Sequence, residues 1–431
     1  MLHKDYGINE KGNFTLGGVD TVQLAKKYGT PLYVLDENAV RENVRTYLSA
    51  MDKYFKKGST IHYASKALSF KEIYRIIADE GAFVDVCSIG ELYTAQSAGF
   101  PLSKASLHGN NKTDGEIRYA VKAGVGEFIV DSFEELEALD RIAGEEGRVQ
   151  NILLRITPNI DCHTLKAIST GQLDSKFGTP IETGQAEKLV KLALTKKNVR
   201  LKGYHCHCGS QVFETEPYVD QTEVMFKFAA DIIKKTGYAP EFMNLGGGFG
   251  VRYTENDPVI DIAANIKAIA EKEKEICAKY GIPEPAILME PGRSIVAAPC
   301  VTLYTVGSVK TIEGYRTYVS IDGGMTDNPR YALYGSKYEV LIANKAALPK
   351  DSRVTVAGRC CESGDLIGEN MELQSAERGD ILAVTVTGAY NYSMASNYNR
   401  VARPALVIVK DGDDRLAIRR ESLEDLVKND I

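Results

Sequence analysis

Apolar and β-branched residues gather along the chain into short runs, and most of these are separated by longer stretches rich in Ala, Glu, Lys and Leu. The runs are TIHYAS (60–65), AFVDVCS (82–88), ASLHG (105–109), EFIVDS (127–132), NILLRIT (151–157), LKGYHCH (201–207), FMNLGG (242–247) and AILMEPG (286–292). The intervening stretches, such as SFEELEALDRIAGEEG and TEVMFKFAADIIKKTG, end at glycines, as helices commonly do. Eight strands alternating with helices predict a closed (β/α)8 barrel of the TIM type. After residue 293 the pattern changes. CVTLYTVGSVKTIEGYRTYVSIDGG, SRVTVAG, DILAVTVTGAY and PALVIVKDG are strand-like and broken by glycine and charged turns, which predicts an all-β C-terminal domain. The expected division is a barrel over 31–293 and a β domain over 294–431, with residues 1–30, including NFTLGG, joining the latter.

Composition narrows the class. A chain of 431 residues with 44% apolar content can bury the cores of two domains. Its 58 acidic and 52 basic residues give a formal charge of -6, and no basic block stands out, so nucleic acid and anionic membrane are not expected as partners. MLHKDYGINEKGNF has no apolar signal region, and no run of 18 apolar residues follows. A cytoplasmic location is the expectation. The cysteines at 87, 162, 206, 208, 277, 300, 360 and 361 are scattered, unlike a secreted disulfide scaffold, and reduced thiols are expected. HCHC at 205–208 contains metal-ligand residue types, but alternation along a strand sends the two histidines one way and the two cysteines the other. No metal site is expected there.

The barrel pattern gives the polar residues an arrangement. Lys66, Ser88, His108, Asp131, Arg155, His207, the glycines at 246–248 and Glu290 fall at or just past the C-terminal ends of predicted strands, where barrel active sites form. His108 or Asp131 alone could equally cap a helix or anchor a loop. NLGGGFG (244–250) follows the seventh predicted strand, and consecutive glycines there can bring backbone N–H groups close to an anion. The motif is not GxGxxG and does not open a Rossmann unit, which disfavours NAD. EPGRS then supplies Arg293 for a phosphate or carboxylate. A phosphate site and a strand-end lysine in one barrel point to pyridoxal phosphate held as a Schiff base, with Glu290 beside the pyridine nitrogen and His207 against the ring.

YASKAL, DVCSIGEL, HGNNKT, ISTGQLDSKFG, GYHCHCGSQ, NLGGGFG, EPGRS, DNPRYALYG, CCESGD and GAYNYSMASNYN occur in this order, and together they resemble the fold-type III, alanine racemase-like pyridoxal-phosphate decarboxylases. The resemblance is strongest to the branch acting on meso-2,6-diaminopimelate. It implies an N-terminal barrel, a C-terminal β domain and a homodimer with shared active sites. Lys66 then resembles the Schiff-base lysine, His207 the residue stacked on the cofactor, and Glu290 the partner of its pyridine nitrogen. Ser210, Gly247 and Gly248 resemble phosphate-side residues, and Tyr390 a phosphate donor that also borders the substrate. Arg293, Arg330 and Tyr334 resemble the residues that receive the substrate's retained distal carboxylate. Cys361 resembles the proton donor contributed by the other subunit, and Glu362 the binder of the distal ammonium.

The implied reaction releases CO2 and gives L-lysine, the last step of lysine biosynthesis. The alternative is a relative acting on ornithine, lysine, arginine or carboxynorspermidine. A simple diamino acid would call for a pocket dominated by carboxylates, whereas Arg330 suits a distal carboxylate. Two positions depart from the family pattern: Leu68 stands where asparagine is usual, and Tyr331 where proline is usual after the substrate arginine.

Overall fold

The computed structural model describes residues 2–160 and 174–431; Cys162 and positions 168–173 of the ISTGQLDSKFG motif lie outside them. The chain forms two compact units, one of residues 43–250 and 259–292, the other of residues 1–42, 251–258 and 293–431.

The first unit is the predicted barrel. Its strands are β1 (Thr60–Ala64), β2 (Phe83–Val86), β3 (Ala105–Leu107), β4 (Glu127–Val130), β5 (Gln150–Thr157), β6 (Val199–His205), β7 (Phe242–Asn244) and β8 (Ala286–Met289). Every neighbouring pair is parallel; β8 pairs with β1 and β4 with β5, which closes the cylinder. Strands enclosed on both faces need no polar alternation, so AILM of β8 is buried throughout. Local signals set the helix ends. The Ser132 hydroxyl accepts from Glu135 N–H to cap Phe133–Glu145, and Gly237, at φ 77°, ends Glu216–Thr236. The latter begins before the TEVMF run because Pro217, which needs no N–H partner, fits its first turn.

Helix Ile262–Tyr280 carries a buried liability. Glu273 is 1% exposed, and its Oε1 has no hydrogen-bond partner among the described residues. Burial, with the charge of Glu284 adding to it, pushes the carboxyl up to about 8 from 4.5. A carboxyl with a raised folded pKa costs nothing below its unfolded pKa and destabilises progressively as pH rises towards the folded value. Glu273→Gln is therefore expected to match the parent near pH 4.5 and to be more stable by about 3 kcal/mol near pH 7. Urea unfolding at the two pH values checks this, and an equal difference at both would refute it.

The second unit is mostly β, with short helices at Thr21–Tyr28, Arg330–Tyr334 and Leu423–Val427. Its main sheet runs Leu366–Leu373, Ser352–Ala357, Arg316–Ile321, Cys300–Ile312, Leu32–Asp36, Ala405–Lys410, Asp413–Ile418. Leu32–Asp36, expected as the start of the barrel, is instead a central strand here, antiparallel to Cys300–Ile312 and parallel to Ala405–Lys410. LYVLD is buried at all five positions, a pattern that suits either kind of interior strand. Residues 251–258 also belong to this unit, although they follow the glycine motif directly. Among the described residues, no helix is long and apolar enough to cross a membrane.

Candidate active site

At the end of β1 the chain makes one turn of 3-10 helix, Ser65–Ala67, which presents Lys66. From Ile61 to Leu68 every residue is buried except this lysine. The turn is held by Ala64 N–H donating to the Pro291 carbonyl and Leu68 N–H to that of Ser65, both at 3.1 Å. Gly292 permits the approach, because a Cβ there would stand 2.9 Å from Ala64 Cβ.

Glu290 ends the neighbouring strand, buried among donors. Its Oε1 accepts from Asn244 Nδ2 at 2.7 Å, and His205 Nε2 lies 3.0 Å from Oε2. His108 Nε2 is 2.9 Å from Oε1, an ion-pair distance that falls short of hydrogen-bond geometry. Burial alone would raise the carboxyl, but the charge of His108 and the hydrogen bond to His205 hold it well below the usual carboxylate range. Burial pushes His205 down to about 4, while Asp85 and Glu290 outweigh burial at His108 and raise it. The result is an anion fixed inside the barrel by three side chains from three strand ends.

β7 runs into Gly246–Gly248, where each glycine is required. Gly246 and Gly248 have φ of 70° and 104°, and a Cβ on Gly247 would fall 2.0 Å from the Glu290 carbonyl oxygen. A Cβ on Gly248 would fall 2.1 Å from the Gly209 oxygen, so the segment carrying His207 and Ser210 lies against this loop. Val212 N–H donates to Gly248 O at 3.0 Å, Gly250 N–H donates to Val212 O at 2.8 Å, and Gly247 N–H reaches His207 Nδ1 at 3.4 Å. Burial, joined by the charges of Lys66 and Arg155, pushes His207 well below the ordinary imidazole range, so its ring is neutral.

Other strand-end residues serve the scaffold. Ser88 caps helix Ile89–Ser97, accepting from Glu91 N–H at 3.2 Å. Asp131 accepts from Gly178 N–H at 3.0 Å, and Arg155 lies 4.4 Å over the Phe177 ring. Of the HCHC residues, only His205 enters a group with metal-compatible spacing among the described residues, together with His108 and Glu290. The Cys206 thiol contacts the Asn244 carbonyl at 3.7 Å.

A second cluster belongs to the β unit. Arg293 Nη1 donates to the Tyr253 hydroxyl at 2.8 Å, and its guanidinium lies 4.7 Å from the Tyr390 ring centroid. Tyr390 has φ of 64°, an uncommon conformation for a residue with a Cβ. Arg330, 8% exposed, donates from Nη1 to the Tyr338 hydroxyl at 2.8 Å and lies 5.1 Å over the Tyr253 ring. Tyr334 ends the short helix at 38% exposure, and the phenols that meet the Arg330 guanidinium are those of Tyr253 and Tyr338. Tyr331 points its hydroxyl to Glu369 at 3.0 Å, which secures that helix without a proline. Leu68 is buried, and its carbonyl accepts from the Tyr63 hydroxyl at 2.8 Å.

Cys361 and Glu362 are exposed on the loop between Ser352–Ala357 and Leu366–Leu373. Asp365 shapes this loop by accepting from Met325 N–H at 2.6 Å and Cys360 N–H at 2.7 Å. Cys361 N–H donates to Asn399 Oδ1 at 2.9 Å. Burial pushes the Cys360 thiol up to about 11, which keeps that cysteine protonated.

A barrel presenting a strand-end lysine, a glycine cradle and a buried carboxylate defines a class of cofactor enzyme, and comparison with known proteins agrees. Residues 39–297 match the family model for the pyridoxal-dependent decarboxylase, pyridoxal binding domain. The diaminopimelate decarboxylase of Bacillus methanolicus is 45% identical over 98% of both chains, and that of Bacillus subtilis 44% identical over 100% of this chain and 98% of its own. The structure of the M. jannaschii diaminopimelate decarboxylase in complex with L-lysine superposes with a TM-score of 0.91 at 35% identity, covering 100% of this chain and 99% of the other. The chain belongs to the pyridoxal-dependent decarboxylases.

Membership makes pyridoxal phosphate the cofactor, and the residues present fit it. The cradle has no room for a Cβ, so backbone N–H groups can come close to a phosphate. Glu290 is an anion suited to a protonated pyridine nitrogen, and Lys66 offers an amine among buried neighbours. Sequence reasoning missed Asn244, Tyr253 and Tyr338, and it weighed His205 only as a metal ligand. Asn244 had a signal as the first residue of the glycine motif; the tyrosines had none.

Proposed function

We propose that this chain decarboxylates meso-2,6-diaminopimelate to L-lysine and CO2, the last step of lysine biosynthesis. Arg330 carries the choice of substrate. Among the described residues this buried guanidinium meets phenols and no carboxylate, so it suits a ligand that brings its own. Ornithine, lysine or arginine would leave it without an anion at the distal end.

Bound pyridoxal phosphate supplies the electron sink for loss of the α-carboxylate. Lys66 would hold the cofactor through its amine, at the place where the substrate amine is to bind. Glu290, held anionic by Asn244, His205 and His108, would keep a proton on the pyridine nitrogen, and the neutral His207 ring would face the cofactor ring. Ser210, Gly247, Gly248 and the Tyr390 hydroxyl take the phosphate. Arg293, Arg330 and Tyr334 receive the distal carboxylate, with Tyr390 bordering it, and Glu362 takes the distal ammonium. Cys361 delivers the Sγ proton to the carbon that has lost CO2. Supplying each stereoisomer of diaminopimelate and analysing products tests the reading: L-lysine from the meso compound alone supports it, and no L-lysine overturns it.

The working form is a cytoplasmic homodimer in which Cys361 and Glu362 serve the partner's Lys66 site; their exposure on a loop supports this reading. Mixing Lys66→Ala and Cys361→Ala chains tests it. In a heterodimer both defects fall in one shared site and the other site is intact, so roughly one quarter of wild-type activity should return with free exchange. Verified exchange without recovery would assign Cys361 to its own chain or to no catalytic role.

A further inference from the structure

We propose that Tyr253 and Tyr338 are specificity-determining positioning residues, two buried phenols that aim Arg293 and Arg330 at the substrate's distal carboxylate without neutralising them. This rests on the reading of those arginines given above. One phenol touches both cations: the Tyr253 oxygen accepts from Arg293 Nη1 at 2.8 Å while its ring face takes the Arg330 guanidinium at 5.1 Å. The second fixes the rotation of Arg330, because Tyr338 accepts from Nη1 at 2.8 Å and donates onward to Asn391 Oδ1 at 3.2 Å. The two rings meet edge to face, centroids 5.5 Å apart at 88°, so neither can swing without displacing the other.

The choice of phenol over carboxylate has a consequence for binding. Asp or Glu at either position would satisfy the guanidinium and compete with an incoming carboxylate, whereas a phenol orients by a hydrogen bond and a ring face and carries no formal charge. Both arginines are only 8% exposed, so their charges are poorly screened. Tyr253 registers the resulting potential: burial would raise its phenol, yet the charges of Arg293 and Arg330 bring it below the ordinary tyrosine value. Asn391 Nδ2 is also buried without a partner among the described residues, a spare donor at the end of the same chain of contacts.

The test compares two ligands on the holoenzyme. L-lysine keeps the distal carboxylate, and cadaverine has the same carbon chain without it. In Tyr253→Phe, which keeps the ring but not the hydroxyl, the calorimetric Kd for L-lysine should rise about tenfold, with cadaverine unchanged within about twofold. The KM for meso-diaminopimelate should rise with L-lysine's Kd while kcat and the cofactor absorbance stay near wild type. Tyr338→Phe should shift the same quantities in the same direction, and it decides the comparison if Tyr253→Phe does not fold. Equal weakening of both ligands marks a structural role and overturns the proposal, as does no weakening of either. Wild-type enzyme that fails to prefer L-lysine overturns the substrate reading itself, and that failure is visible before any variant is made.

Discussion

Replacing Lys66 with alanine is expected to abolish the borohydride-reducible bond between protein and cofactor and to lower kcat by about a thousandfold or more. The size follows from what the amine does: it holds the cofactor carbon covalently, activated and aligned for the substrate amine, and a cofactor that is bound but not linked lacks both. Pyridoxal phosphate should still bind, because the cradle is made of backbone at Gly246–Gly248 and Glu290 is held by Asn244 and His205. Folding should survive too, since Lys66 is the exposed member of an otherwise buried stretch. Mass spectrometry after reduction gives the decisive reading. An adduct on another lysine would remove Lys66 from this role even if activity fell.

Arg330→Lys should cost about 2 to 5 kcal/mol of transition-state binding with diaminopimelate, a loss of about 30-fold to several thousandfold in kcat/KM. Charge is conserved in this change, so the loss reports geometry. A guanidinium can hold both oxygens of a carboxylate while resting its plane on the Tyr253 ring; an ammonium is a point donor and does neither as well. Burial magnifies the difference because water cannot fill the gap left by the shorter group. Steady-state kinetics suffice to measure it, and an unchanged kcat/KM would exclude Arg330 from carboxylate recognition.

These two residues were legible at different depths. Lys66 could be found because strand periodicity put it at the end of a run, and the mouth of a barrel is where such ends gather. Arg330 had no such frame. It lies in a five-residue helix of the β unit, and only the resemblance to a family singled it out. The residues that orient both groups were harder still. Asn244, His205 and His108 come from the ends of three different strands and meet at Glu290, 46, 85 and 182 positions away. No local pattern encodes a meeting over such separations.

The sequence by itself determined the alternation of eight strands with helices, the glycine loop after the seventh and the change to β structure past residue 293. These depend on hydrophobic spacing and on backbone conformations that glycine alone adopts freely, both local properties. Tertiary structure decided the rest. LYVLD, buried at every position, suited either a barrel strand or a sheet centre, and its place was settled by pairing with Cys300–Ile312 and Ala405–Lys410, hundreds of residues away. Tyr253 and Tyr338 read as ordinary aromatic residues until folding set them against two arginines. Burial there turned surface chemistry into a demand for an anion, because a guanidinium removed from water must find its counter-charge in the protein or in the ligand.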